Sequence, residues 1–343
     1  MDWRITAFRL IRPTWFRSLA TALVEETFMK KWPFALLLWA IFLSGWPLAA
    51  LSRDLNIIFI PKSRDQDFWT FMRQGVDKAV REEGGVKLTW RGPAYNDDVD
   101  SQIDILRLYS RSDVDAVIIV PTDRVRLMEP VRKAAAMGVK IVVVDSALGG
   151  AWHTNFVGTD NRAAGRLAAE RLASLLNGQG TVLVMRTVAG SASTDDRANG
   201  FVNHLAKHAP HITVMDEYGG GTRGKIARAG LAALTKYKQI DGIFAVNESA
   251  SDGMLRSLRQ TGAAGKIKLI GFDTSDFLLE GLKKREIHGL VLQNTRQMGY
   301  QGMKAAIAAA RGAPVKGRDI VTEAVMVTLE NYLRPEIESL LVP

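Results

Sequence analysis

From Leu55 onward, ten short apolar runs alternate with amphipathic segments, and this alternation constrains the fold more than any other feature. The runs lie at 56–61, 87–92, 116–121, 140–145, 155–160, 180–185, 211–218, 242–247, 267–273 and 288–294. Helical patterns accompany them, for example at 68–83, 102–111, 161–176 and 296–311. Continuous apolar runs are typical of strands buried on both faces, and their alternation with helices predicts parallel sheets. Because about five units fall in each half, the sequence predicts an α/β protein with two doubly wound parallel-sheet (Rossmann-like) lobes.

This architecture also predicts where ligand-contacting side chains lie. In open α/β sheets, ligands bind outside the carboxyl ends of the strands. The residues that follow the apolar runs are mostly polar, and they lie at 62–69, 121–123, 145–146, 160–161, 186–197, 247–248, 273–274 and 293–294. Many of them can form hydrogen bonds to hydroxyl groups as donors or as acceptors.

Two aromatic residues, Phe68 and Trp69, follow the charged loop 62–67 at the end of the first run. A sugar ring has apolar C–H faces and an equator of hydroxyl groups. Aromatic rings can cover the faces while Asp, Asn, Gln and Arg bond the hydroxyls. Packing of one or both rings in the core is the alternative. Because consecutive helical positions point in different directions, we expect at least one ring to face the ligand.

Composition excludes several classes of function. The chain has 343 residues and no cysteine, which excludes disulfides, thiolate metal sites, a cysteine nucleophile and a lipid-modified N-terminal cysteine. Its formal net charge is +9, but the basic residues are scattered, which favours a solvated surface over a nucleic-acid interface. Of the five histidines, only His204 and His208 stand at i, i+4, and they have no evident third ligand. No G-x-S-x-G motif occurs, so the sequence predicts no metal, cofactor or catalytic residue.

The segment 1–52 is interpreted as a signal peptide or N-terminal extension. Met29-Lys30-Lys31 precedes an apolar run at 33–52, and Ala50-Leu51-Ser52 fits cleavage before Arg53. A membrane anchor is the alternative, although Gly45 and Pro47 interrupt the run and it is short for a span. Met29 is also a natural start, in which case 1–28 would be an upstream extension.

The stretch Gly219–Lys225 follows a strand, precedes a helix and satisfies G-x-G-x-x-G. Backbone N–H groups at such a helix start can hold a phosphate, as an ATP-using enzyme would require. Position 226 is Ile, however, so the hydroxyl that would bind magnesium is missing. A simple β–α turn is therefore the favoured interpretation.

Several of these residues resemble one protein family in their order and spacing over 54–343. They are Phe68-Trp69, Pro121-Thr122-Asp123, Asp145, Gly158-Thr159-Asp160-Asn161, Arg197-Ala198-Asn199-Gly200-Phe201, Phe244-Ala245-Val246-Asn247-Glu248 and Gly271-Phe272-Asp273. The sequence is similar to the periplasmic substrate-binding proteins of ABC sugar importers, of the ribose-binding type. That fold is shared by the effector domains of lac-repressor-type regulators.

The resemblance implies a ligand site in an interlobe cleft. Phe68 and Trp69 would stack on a sugar ring, and Gln66 would contribute at the edge. The hydroxyl groups would be bonded by Asp145, Arg197, Asn247, Asp273 and Gln293. Lys62 is a further candidate, because the sequence is also similar to a related binder of a furanosyl autoinducer; a solvated loop lysine is its alternative.

Three positions depart from the ribose-type pattern. Val120 replaces an asparagine, Ser146 replaces an arginine, and an aromatic residue near Gly221 is missing. A buried hydroxyl group without its hydrogen bond costs about 1–3 kcal/mol. We therefore expect the ligand to be a monosaccharide or polyol other than ribose itself.

The resemblance also implies a division of the chain into two lobes. The N-terminal lobe would comprise 53–159 plus 294–322, and the C-terminal lobe 160–293 plus 323–343. Three hinge crossings, near 159, 293 and 322, would let the lobes close on the ligand.

The expected function is periplasmic capture of a sugar by a monomer that delivers it to ABC permease subunits. Three alternatives stay open. The same fold could signal to a membrane histidine kinase or chemoreceptor. A cytoplasmic transcription regulator would need a helix-turn-helix before residue 55, and the apolar run there argues against one. An enzyme would have to use Gly219–Lys225.

Overall fold

The computed structural model of the chain describes residues 53–313 and 319–341. The segment 1–52, to which the signal-peptide prediction applies, lies outside these residues. From Arg53 onward the chain forms one compact unit. Within the described ranges, no helix has the length and apolarity to cross a membrane.

All ten apolar runs form strands, and two further strands and a C-terminal helix complete the fold. The strands are β1 (Leu55–Ile60), β2 (Val86–Trp90), β3 (Ala116–Ile119), β4 (Lys140–Val144), β5 (Asn155–Thr159), β6 (Gln179–Arg186), β7 (His211–Tyr218), β8 (Gly242–Ala245), β9 (Lys268–Phe272), β10 (Gly289–Gln293), β11 (Asp319–Thr322) and β12 (Ala324–Val327). The helices are α1 (Asp67–Glu83), α2 (Val99–Tyr109), α3 (Met128–Ala136), α4 (Asn161–Leu175), α5 (Ala192–His208), α6 (Arg223–Lys236), α7 (Glu248–Gln260), α8 (Asp276–Lys283), α9 (Thr295–Ala310) and α10 (Pro335–Leu341).

The strands form two sheets of six, which confirms the prediction of two doubly wound lobes. Their orders are β11-β5-β4-β3-β1-β2 and β12-β10-β9-β8-β6-β7. Every neighbouring pair is parallel except β12, which runs antiparallel to β10. β11 and β12 were not predicted, because each is an edge strand of four residues and only its last residue is buried.

Each sheet is covered on both faces, as a parallel sheet requires. In β1, Ile57 and Phe59 belong to the core beneath α1 and α9, while Ile58 and Ile60 belong to the core beneath α2 and α3. All four side chains are at most 1% exposed. Burying one such side chain contributes about 1.5–3 kcal/mol, so the whole β1 run is used in packing and only the residues after it are free to face a ligand.

In both lobes, a pair of covering helices crosses at glycines. A Cβ atom on Gly75 of α1 would lie 1.9 Å from a carbonyl oxygen of α9, and one on Gly299 of α9 would lie 2.2 Å from a carbonyl oxygen of α1. In the second lobe, Gly165 of α4 and Gly200 of α5 are equally close, at 2.0 and 2.3 Å from the facing carbonyl oxygens. The carbonyl that faces Gly165 belongs to Arg197. Helix backbones can approach this closely only where Cβ is missing.

The chain passes from one sheet to the other after β5, after β10 and between β11 and β12. The three crossings lie together. Oγ1 of Thr159 donates a hydrogen bond to Oε1 of Gln293 at 2.9 Å. Oγ1 of Thr159 also lies 3.2 Å from Oγ1 of Thr322. Gln293 also donates from Nε2 to Oδ1 of Asp273 at 2.8 Å, so one side chain joins the crossings to the end of β9.

Candidate functional site

A cavity lies between the two sheets, at the carboxyl ends of their strands, and both lobes contribute to its walls. All nine residues that the sequence predicts for the site line it: Lys62, Gln66, Phe68, Trp69, Asp145, Arg197, Asn247, Asp273 and Gln293. Six further residues complete the lining: Thr187, Val188, Ser191, Ser193 and Thr194, which fall in the predicted strand-end segment 186–197, and Asn96, which was not predicted. The fold brings the predicted residues together; that they bind a ligand stays a prediction.

Two aspartates occupy equivalent places in the two lobes, directly after β4 and β9. Asp145 and Asp273 both have a left-handed backbone, with φ of 61° and 63°. The N–H of Asp145 donates to the carbonyl oxygen of Val157 in β5 at 2.8 Å, and the N–H of Asp273 donates to that of Val291 in β10 at 2.9 Å. A positive φ is uncommon in a residue with a side chain, and such conformations concentrate at ligand sites. The turn directs both carboxylates into the cavity, where both side chains are buried.

Arg197 lies between the lobes and is held by groups of its own lobe. Its Nε donates to Oδ1 of Asn161 at 2.8 Å, and its Nη1 donates to the carbonyl oxygen of Val246 at 3.1 Å. Its guanidinium lies 3.9 Å from the centre of the Phe272 ring. Burial lowers the pKa of Arg197 and raises the pKa of Asp273. The two opposite charges partly offset these effects, so each group stabilises the other in its ionised form.

Where Arg197 faces Asp145, one donor group and one acceptor atom lack hydrogen-bond partners in the described chain. Nη2 of Arg197 and Oδ1 of Asp145 are buried and have no hydrogen-bond partner among the described residues. The two atoms lie 3.7 Å apart, which is too long for a hydrogen bond. A hydroxyl group can accept from a guanidinium and donate to a carboxylate, so it could satisfy both atoms.

Lys62 is buried in the wall of the cavity, so the interpretation of a solvated loop lysine is wrong. Its Nζ donates to Oγ of Ser191 at 2.9 Å and to Oγ of Ser193 at 3.0 Å, both in the other lobe. It also lies 3.8 Å from Oδ2 of Asp145. Burial lowers the pKa of Lys62 to about 8, against the opposing effect of Asp145.

Phe68 and Trp69 both line the cavity and both belong to the core of the first lobe. Their rings meet edge to face, with centres 4.8 Å apart and an angle of 89° between the planes. The indole Nε1 of Trp69 donates to Oγ of Ser63 at 2.9 Å. The cleft and core interpretations therefore both hold, because each ring packs on one side and borders the cavity on the other.

Asn96 is the most informative residue that the sequence reasoning missed. Its side chain is 6% exposed, and neither Oδ1 nor Nδ2 has a hydrogen-bond partner within the described part of the chain. It lies in the loop after β2, so the rule that strand ends carry the site would have found it. Ser191 and Ser193 lie in a loop that the sequence analysis included, but their partner Lys62 is 129 and 131 residues away.

The three departures from the ribose-type pattern have structural explanations. Val120 is fully buried in the core of the first lobe. Oγ of Ser146 accepts a hydrogen bond from the backbone N–H of Ser193 at 3.2 Å, across the cleft. A Cβ atom on Gly221 would lie 2.6 Å from the backbone nitrogen of Asp97, so no ring can occupy that position.

The Gly219–Lys225 stretch forms the turn between β7 and α6. Oγ1 of Thr222 accepts from the N–H of Lys225 at 3.2 Å and caps α6. Nζ of Lys225 pairs with Oδ2 of Asp97, in the other lobe, at 2.5 Å. The lysine that a phosphate loop would direct at a nucleotide is thus engaged in a contact between the lobes.

The free space enclosed by the cavity is about 30 Å³, close to the volume of one water molecule. A monosaccharide is several times larger than that. The lining side chains therefore fill most of the space between the lobes in this structure.

Comparison with known proteins identifies relatives along most of the chain. The family described as periplasmic binding protein domain matches residues 57–314. The xylitol-binding protein of Mycolicibacterium smegmatis is 28% identical over 279 residues, which cover 81% of this chain and 77% of the relative.

Two solved structures share the fold. A carbohydrate transporter solute-binding protein from Agrobacterium radiobacter, in complex with D-arabinose, is 31% identical with a TM-score of 0.81. The match covers 85% of this chain and all of that one. An ABC transporter solute-binding protein from Agrobacterium vitis with bound D-fucose is 29% identical with a TM-score of 0.80, over 84% of this chain and all of that one.

Proposed function

Because the chain belongs to the family of periplasmic binding protein domains, we propose that it captures a monosaccharide or related polyol between two closing lobes and delivers it to an ABC importer. The observation that carries this proposal is the pair of unsatisfied buried groups, Nη2 of Arg197 and Oδ1 of Asp145. They face each other across the cleft at a distance that one ligand hydroxyl group can bridge. Asn96 adds an unsatisfied donor and acceptor to the same cavity.

The charges of the lining favour a neutral ligand. Lys62 and Arg197 are matched by Asp145 and Asp273, so these four buried groups carry no net charge when all are ionised. Burying an extra ligand charge without a partner would cost several kcal/mol. A polyhydroxylated neutral molecule avoids this cost and supplies both donors and acceptors. The sugars and sugar alcohol named for the relatives have this chemistry.

The remaining parts of the proposal follow from the family and the chain path. The N-terminal lobe comprises 53–159 and 294–322, the C-terminal lobe comprises 160–293 and 323–343, and the lobes rotate about the three crossings. The protein acts as a monomer in the periplasm, reached through the N-terminal segment. Its activity is binding rather than catalysis, since the family consists of solute-binding proteins.

A thermal-shift screen of the chain from Arg53 onward tests this proposal. We expect one pentose, hexose or polyol, at about 100 times its dissociation constant, to stabilise the protein by about 2.7 kcal/mol and raise the melting temperature by several degrees. Xylitol, D-arabinose and D-fucose should be included. The shift should disappear in Asp145→Ala and persist in Asp319→Ala, an exposed aspartate of β11. Cooperative unfolding with no shift from any carbohydrate would contradict the proposal.

A transport assay then separates the importer from the sensor. We expect deletion of the gene to abolish high-affinity uptake of the sugar identified in the screen. Normal uptake combined with a lost cellular response to that sugar would assign the protein to a membrane kinase or chemoreceptor instead.

A further inference from the structure

Helix α1, which carries Phe68 and Trp69, begins without a cap of its own. Its N-cap residue is Gln66, whose side chain makes no hydrogen bond to the first turn within the described chain. Nε2 of Gln66 donates instead to Oγ of Ser249 in the second lobe, at 2.8 Å. Six other helices are capped by the residue that precedes them: Asp98, Asp160, Thr222, Asn247, Ser275 and Asn294. Of the described helices, α3 and α5 also lack such a cap, at Leu127 and Ser191, but at the start of α1 the second lobe supplies a partner.

The second lobe supplies the missing cap. Oε1 of Glu248 accepts from the N–H of Asp67 at 3.2 Å, and Oε2 accepts from the N–H of Phe68 at 2.9 Å. Glu248 is the first residue of α7 and is 2% exposed. The carboxyl oxygens of Glu248 accept these N–H groups in place of a local cap, and a cap contributes about 1 kcal/mol.

The groups around Glu248 fix its position from both lobes. Its own N–H donates to Oδ2 of Asp273 at 3.2 Å, so its backbone is tied to a cavity residue. Nη2 of Arg223 lies 3.5 Å from Oε1, and Nη1 of Arg223 lies 4.0 Å from Asp252. The same arginine donates to the backbone oxygen of Asp65, just before α1. These contacts can form only when the lobes are together.

We infer that Glu248 is a positioning residue for the closed state. It caps α1 only when the lobes meet, so closure and the final placement of Phe68 and Trp69 occur in one step. The inference rests on the proposed function, because the two rings are placed for the sugar. When the lobes part, α1 loses two hydrogen bonds at its start, and the open state is disfavoured by that loss.

Closure should also depend on pH. Burial raises the pKa of Glu248 to about 8 in the closed state, from an ordinary value of 4.5. The nearby carboxylates of Asp67 and Asp273 add to this increase, while the N–H groups of Asp67 and Phe68 oppose it. Arg223 is the cation that faces it.

The sign of the pH effect follows from this increase. The closed state binds the proton more tightly, so closure is favoured most below pH 4.5 and this advantage is lost as the pH rises to 8. Lys62 has a closed-state pKa of about 8 and is protonated in both states below that value, so it adds little slope there. Its effect lies between pH 8 and its ordinary value of 10.5, with the opposite sign.

The absence of cysteine makes the test direct, because labels can be placed at two introduced cysteines. Arg107 on α2 and Arg228 on α6 are exposed and lie in different lobes. The label-to-label distance should be measured with and without sugar at pH 6, 7 and 8, in the wild type and in three variants. Glu248→Ala removes both acceptors, Glu248→Gln keeps one acceptor and does not titrate, and Glu280→Gln is a control on the exposed side of α8.

We expect Glu248→Ala to lower the closed-to-open ratio about fivefold and to raise the sugar dissociation constant by the same factor. Glu248→Gln should give a smaller loss and a weaker pH dependence than the wild type, whose ratio should fall by up to about tenfold per pH unit. Glu280→Gln should match the wild type in both respects.

The outcomes separate this inference from the proposed function. If Glu248→Ala and Glu248→Gln keep the wild-type distances, affinity and pH slope while sugar still binds, Glu248 is not a closure residue and the proposed function stands. If the wild type binds no sugar, the proposed function fails. The distances measured without sugar then still decide the role of Glu248, because its cap needs only the two lobes.

Discussion

Arg197→Ala should weaken binding of the sugar at least 100-fold. The guanidinium of Arg197 lies 3.7 Å from Asp145 of the other lobe. Its positive charge also opposes the increase that burial causes in the pKa of Asp273. Its loss removes a charge-assisted hydrogen bond to the ligand, worth about 1.5–3 kcal/mol. It also leaves two carboxylates buried together on closure, and an uncompensated buried charge costs about 3–5 kcal/mol. A loss of about 2.7 kcal/mol already corresponds to 100-fold in affinity.

Isothermal titration calorimetry with the sugar found in the screen measures this effect. Arg162→Ala is a suitable control, because Arg162 lies on the adjacent helix α4, is half exposed and pairs with Asp196 outside the cavity. The control should bind within about twofold of the wild type. An Arg197→Ala protein that binds within threefold of the wild type would show that the ligand does not use the Arg197–Asp145 gap.

Gly165→Ala should destabilise the second lobe and also weaken binding. The new Cβ atom would lie 2.0 Å from the carbonyl oxygen of Arg197, so α4 and α5 must move apart. Overpacking of this kind costs about 1–3 kcal/mol, and we expect the upper end because the obstacle is backbone. The displaced backbone belongs to Arg197. The same shift should therefore move the Arg197 guanidinium away from Asp145 and weaken ligand binding.

Urea unfolding followed by circular dichroism gives the change in the free energy of unfolding, and calorimetry gives the change in affinity. Gly224→Ala is the matched control, because Gly224 also lies on a helix but a Cβ atom there has no neighbour within 4 Å. It should be neutral or slightly stabilising, since alanine favours the helix by up to about 1 kcal/mol over glycine. Equal stabilities of the two variants would mean that α4 and α5 do not pack through Gly165.

The parts of the fold that could be predicted from the sequence are those with a local signal. Strands buried on both faces require continuous apolar runs, and the polar residues at their ends, such as Asp145 and Asp273, follow directly. β11 and β12 give a weaker signal, because each has only four residues and the run of β11 begins and ends with a polar residue. The cap of α1 could not be predicted, because Glu248 and Phe68 are 180 residues apart. A capping residue normally precedes its own helix, so no local sequence pattern predicts a capping residue that comes from another lobe.

Asn96, which was not predicted, and Lys62, for which a solvated loop lysine stayed the alternative, show a second reason why the sequence could not define the whole site. What makes them candidates is burial without local partners, and burial at a lobe interface depends on how the lobes meet. The loop after β2 is polar like any surface loop, and Lys62 lies among charged residues. Their sequence surroundings are the same whether they face solvent or a closed cleft.

Gln293 joins the three crossings to the cavity, so the residues of the cavity lie at different distances from the crossings. Asp145 and Asp273 follow strands that are next to the crossing strands β5 and β10, whereas Lys62 and the Ser191 loop follow strands three places away. At about 4.8 Å per strand, that is roughly 14 Å of lever arm. For a given rotation, displacement grows with distance from the axis. The strand ends that carry Asp145 and Asp273 should therefore move less, when the lobes part, than the strand ends that carry Lys62 and Ser191.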